Sequence, residues 1–191
     1  MGMQYFTNPI VFIVTTIFSL YITAVLLRFL LQWCKADYRN PVSKFLITLT
    51  HPPLKIMRRF IPAIGHIDTA SLVLIFLLQL ISDGLESFLQ GALISVGGLI
   101  LTSFANLIAL LLNVMFYAIF ARALLSWIDQ GGYNVYSSLL YSLTEPSLRV
   151  CRGILPNMGG LDLSVILALM GIQLAQMLIL PPIYQLASLI A

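Results

Sequence analysis

The sequence predicts an all-α integral membrane fold: four transmembrane helices in two tandem repeats, each a helix, a cytoplasmic interfacial amphipathic segment and a returning helix. Three observations carry this. The 191 residues are 60% hydrophobic and 9% charged, with a mean hydropathy of +0.98, whereas a soluble domain is about half apolar and about a quarter charged. Four apolar runs reach the roughly 20 residues that a spanning helix needs. The chain also repeats itself, without a gap, at an offset of 94 residues.

The repeat is specific. Arg28, Leu30, Leu31, Trp33, Asn40, Ser43, Leu46, Leu49, Thr50, Pro52, Leu54, Arg58, Pro62, Gly65 and Asp68 return as Arg122, Leu124, Leu125, Trp127, Asn134, Ser137, Leu140, Leu143, Thr144, Pro146, Leu148, Arg152, Pro156, Gly159 and Asp162, 15 identities in the 41 positions from 28 to 68. Many are polar or special to the backbone, so shared apolar character does not explain them. The halves 1–94 and 95–191 are read as two copies of one unit, packed about a pseudo-two-fold axis.

Span one covers about residues 8 to 31. It has no basic segment before its apolar run, so it is expected to stay as a helix and not to be cleaved as a signal peptide. Thr15, Thr16, Ser19 and Thr23 give it a polar stripe, and Trp33 fits the interfacial aromatic belt, as does Trp127. Arg28 lies about a turn deeper. It can snorkel to the headgroups or pair with Asp68 at the start of the next span, and the ion pair is preferred because both members recur as Arg122 and Asp162.

The segment that follows is amphipathic. Val42, Phe45, Leu46 and Leu49 keep helical spacing, Pro52 and Pro53 interrupt it, and Leu54, Met57 and Ile61 resume it beside Lys55, Arg58 and Arg59. Two short helices split at the prolines and lying in the interface are expected. The second copy matches, with Glu145–Pro146 at the break and Arg149 and Arg152 after it. Each segment ends in Pro, then Gly, then an Asp suited to capping the returning span.

Span two, 69 to 89, carries Gln79, Asp83, Glu86 and Gln90 on one helical stripe. Their repeat equivalents include Met177 and Leu180, close before Pro181 and Pro182, which puts the two acids near the outer end of the span as a solvated helix end. The other reading is a cation-attracting mouth. Gly97–Gly98 reads as a turn into span three, 99 to 126, which aligns Ser103, Asn106, Asn113 and Tyr117. Span four, 163 to 184, carries Gln173 and Gln176. Such stripes either join helices by hydrogen bonds or line a hydrated path.

All ten Lys and Arg residues fall in 28–59 or 122–152. The positive-inside rule then places both basic segments in the cytoplasm and both termini outside. The net charge of +3 points to anionic headgroups, not nucleic acid. Cys34 and Cys151 sit apart in reduced surroundings and suggest neither a disulfide nor a metal site. No nucleophile constellation, phosphate loop or metal-ligand cluster is present, so neither enzyme nor cofactor chemistry is expected.

The pattern Arg28-Phe-Leu-Leu-Gln-Trp33, Asn40-Pro41, Leu49-Thr-His-Pro-Pro-Leu54, Arg58-Arg59 and Pro62-Ala-Ile-Gly-His-Ile-Asp68 resembles the YggT (YlmG-like) family of bacterial membrane proteins. So does the second copy: Arg122-Ala-Leu-Leu-Ser-Trp127, Asn134, Leu143-Thr-Glu-Pro-Ser-Leu148, Arg152 and Pro156-Asn-Met-Gly-Gly-Leu-Asp162. The resemblance implies tolerance of osmotic stress and potassium uptake. Chloroplast, cyanobacterial and division-cluster relatives imply membrane assembly, cytochrome cofactor attachment or division instead. Val135 opposite Pro41, His51 opposite Glu145 and Gly153 opposite Arg59 mark the halves as not equivalent.

Two functions follow. One is support of potassium homeostasis through a passive cation path along Gln79, Asp83, Glu86, Asn106, Asn113 and Gln173. The other is a non-transporting scaffold for assembly or division factors, docked on the repeated residues Arg58, Asp68, Arg152 and Asp162. A homo-oligomer and an unidentified protein partner are compatible with either.

Overall fold

A computed structural model describes residues 2–64, 67–92, 94–128, 135–153 and 163–190, with side chains from residue 8 onward except at 127, 128, 135 and 136. Six helices follow one another: α1 (Gly2–Trp33), α2 (Pro41–Phe60), α3 (Thr69–Gln90), α4 (Val96–Ile128), α5 (Val135–Arg152) and α6 (Leu163–Ile190). The described residues form no strand. Segments Asn8–Trp33, Thr69–Gln90, Val96–Ser126 and Leu163–Ile190 are long and apolar enough to cross a membrane.

Within each repeat the packing recurs. α1 lies along α3, and α2 closes on both; α4 lies along α6, and α5 closes on both. The core residues recur with it. Leu54 of α2 and its equivalent Leu148 of α5 are both fully buried, the first among Ile22, Val25, Leu74 and Ile75, the second with Ile119 and Ala168. The long helices turn many other apolar side chains outward, among them Phe12, Ile17 and Leu20 of α1 and Met170, Leu174 and Leu178 of α6. In lipid that exposure carries no hydrophobic cost, and a soluble fold would have buried it.

Between repeats the expected pseudo-two-fold is broken. α4 packs on α3 and α1, and α5 touches α1, but among the described residues no comparable contact joins α6 to α1. The polar residues that join α3 to α4 have no counterparts on the equivalent faces. Asp83 is replaced by Met177, and Ser103 and Asn106 by Pro9 and Phe12. Met177 and Phe12 are 67% and 69% exposed.

Three expected boundaries shift. α2 and α5 are each continuous through their prolines, not split. Pro52 and Pro146 are exposed, while Leu46, Thr50 and Leu54 hold the inner face of α2 in place. The carbonyls that lose a donor to Pro52 and Pro53 belong to Thr48 and Leu49, both exposed, where water and headgroups satisfy them. Gly97 and Gly98 are the opening turn of α4, not a turn before it. The Gly98 N–H donates to Ser95 Oγ at 3.0 Å, and the Ser95 hydroxyl donates to the Ile190 carbonyl. A Cβ on Gly97 would stand 2.9 Å from Ile190 Cγ2, so the glycine admits the end of α6. α6 also runs past Pro181 and Pro182 to Ile190.

Candidate functional site

The identical residues of the two repeats build a clamp between each transmembrane helix and its interfacial helix. Asn40 caps α2, its side chain accepting from Val42 N at 2.9 Å, and Pro41 fills the first helical position. That fixes the start of α2, so Thr50 faces α1. Arg28 Nη1 donates to Thr50 Oγ1 at 2.8 Å, and Arg122 Nη1 to Thr144 Oγ1 at 2.9 Å. Both threonines are fully buried, and each donates its own hydroxyl to the carbonyl four residues back.

The preferred pairing of Arg28 does not form: the side chain is 7% exposed and bonds Thr50, and Asp68 bonds Arg58 instead. Asp68 caps α3, accepting from the Ser71 N–H and hydroxyl, and that role turns its carboxylate toward the last turn of α2, where Arg58 sits. In the second repeat Arg122 is also 7% exposed. There the Glu145 carboxylate lies 3.0 Å from Arg122 and 3.0 Å from Arg152, and the Arg122 guanidinium lies 4.2 Å from the centre of the Tyr141 ring. Gly65, Asn134, Pro156, Gly159 and Asp162 lie outside the described residues, so the expected Arg122–Asp162 pair does too. Pro62 is exposed, and its carbonyl accepts from the Thr69 hydroxyl at 2.6 Å.

Burial would push the Asp68 carboxyl up, but the bonds from Arg58 and Ser71 together outweigh it and hold it below the ordinary carboxylate range. A carboxyl whose folded pKa lies below its unfolded value stabilises the fold above about pH 4, and that contribution is lost as pH falls further. Asp68→Asn should therefore flatten the acid limb of the unfolding curve between about pH 5 and 2. A limb as steep as that of the unaltered protein would show that Asp68 does not drive it.

Arg58 is half-exposed, so the pair adds only modest stability despite its short contact.

The second cluster lies at the junction of the repeats, toward the ends of the spans remote from the basic segments. Asp83 is 8% exposed. Its carboxylate accepts from Gln79 Nε2 at 2.9 Å, Ser103 Oγ at 2.8 Å and Asn106 Nδ2 at 3.1 and 3.2 Å. Asn106 Oδ1 accepts from the Tyr184 hydroxyl at 2.8 Å, and Asn113 Oδ1 from Gln176 Nε2 at 2.8 Å. The network thus ties α3 to α4 and α4 to α6. Asp83 is not a solvated helix end, because α4 supplies the donors that replace water. Glu86 fits that description better: it is half-buried and accepts from Gln90 Nε2 at 3.0 Å.

Beside this network lies a cleft of about 290 Å³ lined by Thr15, Ser19, Gln79, Asp83, Glu86, Asn106 and Asn113, with Ile22, Ser82, Ala109 and Leu110 completing the wall. The structure brings together five of the six residues expected along a path. Gln173 is the exception, exposed and apart from the cleft. Thr15 and Ser19 belong to the polar stripe of span one, but their approach to Asp83 depends on how α1 docks. Among the described residues no basic one lines the cleft.

The CCB3/YggT family model matches residues 7–89 and again residues 101–183. The chain belongs to the CCB3/YggT family. The two matches start 101 − 7 = 94 residues apart, the offset of the internal repeat. An uncharacterized protein of Pseudomonas aeruginosa is 42% identical over 174 residues, covering 89% of this chain and 87% of the relative. An uncharacterized protein of the proC 3' region of Vibrio alginolyticus is 35% identical, covering 90% and 93%. The uncharacterized protein YggT of Escherichia coli strain K12 is 34% identical, covering 82% and 81%. No solved structure matches.

As a CCB3/YggT protein with four membrane-spanning helices, the chain spends its identical residues on helix packing: Arg28 and Thr50, Leu54, Arg122 and Thr144, Leu148. Apart from Gln79, which recurs as Gln173, its acidic cleft is built from residues that differ between the copies.

Proposed function

We propose that this protein supports potassium homeostasis and osmotic tolerance in the bacterial cytoplasmic membrane as a passive cation pathway, with the basic segments in the cytoplasm. The observation that carries the reading is the buried Asp83 carboxylate beside a polar cleft between the spans. An acidic residue held within a membrane helix is costly and marks a functional site by default. Among the described residues the cleft wall carries two acids, Asp83 and Glu86, and no base, so its field attracts cations and repels anions. Hydroxyls of Thr15 and Ser19 and the amide of Gln79 supply oxygens of the kind that replace water around a monovalent cation. The positive-inside rule supports the orientation, and the family's association with potassium uptake and osmotic stress supports the cation.

The test is potassium flux into proteoliposomes that contain only the purified protein, under an imposed gradient. Asn113→Leu, in the cleft wall, should reduce the flux severalfold. Gln173→Leu, on an exposed face, should leave it unchanged. Absence of flux in folded, inserted protein, or equal flux in all three, would remove the support for a path.

The scaffold reading has less behind it. Arg58, Asp68 and Arg152, on which it relied, are engaged in ion pairs within the chain.

A further inference from the structure

The two clamps differ at one position in a way that specifies a ligand. In the second repeat a carboxylate bridges the two guanidiniums: Glu145 Oε2 meets Arg122, and Oε1 meets Arg152, both at 3.0 Å. In the first repeat the equivalent arginines are Arg28 and Arg58, and the position of Glu145 is held by His51. Arg28 is bonded by no carboxylate among the described residues and feels the Asp68 charge only at longer range. It bonds the neutral Thr50 hydroxyl and makes a long contact, 3.4 Å, to the Ile47 carbonyl. Among the described residues the carboxylate bonded to Arg58 is Asp68, which takes one terminal nitrogen of the fork. From the sequence, the clamp residues of repeat one, Arg28, Arg58 and Asp68, sum to +1, whereas Arg122, Arg152, Glu145 and Asp162 sum to zero.

Basic charge continues along the same face. His51, Lys55 and Arg58 are exposed at spacings of four and three, and Arg59, next to Arg58, is exposed as well. Phe45, Ile56 and Phe60 of the same helix are exposed and apolar, which seats α2 at the boundary of headgroups and acyl chains. That is the depth of lipid phosphates, not of bulk solution. We propose that the first repeat binds the phosphate of an anionic phospholipid between Arg28 and Arg58, in the place the Glu145 carboxylate fills in the second repeat. Two acceptor oxygens of a phosphodiester reproduce the two-point contact that Glu145 makes, and arginine forks suit such pairs. His51 lends this seat a donor in place of a competing anion.

Native mass spectrometry of the full chain, titrated with phosphatidylglycerol and with phosphatidylcholine, tests this. The unaltered protein should hold one phosphatidylglycerol about tenfold more tightly than phosphatidylcholine. His51→Glu installs the internal carboxylate and should abolish that preference. Glu145→Gln should open the second seat and add a second bound phosphatidylglycerol; it decides the matter alone if His51→Glu does not fold. Equal binding of the two lipids by the unaltered protein overturns the site. So does an undiminished preference in folded His51→Glu, or an unchanged count in Glu145→Gln. Binding of inorganic phosphate as tight as that of phosphatidylglycerol would overturn the lipid and leave only a phosphate site.

Discussion

Asp83→Asn should lower potassium flux by about tenfold to thirtyfold while keeping the helices together, and Asp83→Leu should cost both flux and stability. The first expectation is electrostatic. A unit charge ~8 Å from a passing ion, at an effective dielectric constant of ~20, contributes ~2 kcal/mol, which is about thirtyfold in a crossing rate. Asparagine removes that charge and keeps a carbonyl oxygen in place to accept from Ser103 or Asn106. Leucine removes the acceptor altogether and strands three donor side chains, those of Gln79, Ser103 and Asn106. Interhelical hydrogen bonds in membranes average ~0.6 kcal/mol and reach ~1.7, so the two donors from α4, Ser103 and Asn106, are together worth about 1–3 kcal/mol. The loss falls on the α3–α4 contact, the largest that joins the repeats. Flux assays and thermal unfolding of the same preparations separate the two effects. Asp83→Asn with full flux would mean that the carboxylate only joins helices.

Arg122→Met should destabilise the protein by about 2–3 kcal/mol, and by about 1 kcal/mol more than Arg28→Met. Each arginine loses a charge-assisted bond to a fully buried threonine, worth about 1.5–3 kcal/mol. Methionine recovers part of that by packing the space without a charge to desolvate. Arg122 loses two further contacts. Its stacking on Tyr141 contributes about 0.5–1 kcal/mol. Its pairing with half-buried Glu145 adds at most about 1 kcal/mol, because solvent screens that carboxylate and Arg152 still pairs with it. Arg28 has the weak 3.4 Å contact to the Ile47 carbonyl in their stead. Unfolding of the two variants in one lipid environment, with Thr50→Val and Thr144→Val to complete double-mutant cycles, measures the difference. Equal losses would show that Tyr141 and Glu145 add nothing to the second clamp.

The sequence by itself determined the class of the protein, its four spans and its two copies. Hydropathy and an ungapped repeat are properties of one strand of text, and lipid demands that each apolar run satisfy its own backbone as a helix. It also determined which residues recur, and Asp68 does cap α3 as its position implied. What it left open were pairings between elements. Arg28 had acceptors 22 and 40 residues ahead, Thr50 and Asp68, and helical periodicity ranks neither. Docking of α2 gave it Thr50, because Asp68 was already committed to capping α3 and to Arg58. The prolines of α2 marked a break in sequence, yet their lost bonds fall on the exposed side, where a helix tolerates them. The repeat equivalents of Asp83 and Glu86, Met177 and Leu180, carry no information about what α4 brings to Asp83. Only the tertiary structure decided that Ser103 and Asn106 surround that carboxylate and that α1 closes a cleft beside it. Periodicity fixes the faces of a single helix, whereas which faces meet, and in what register, depends on packing across the whole bundle.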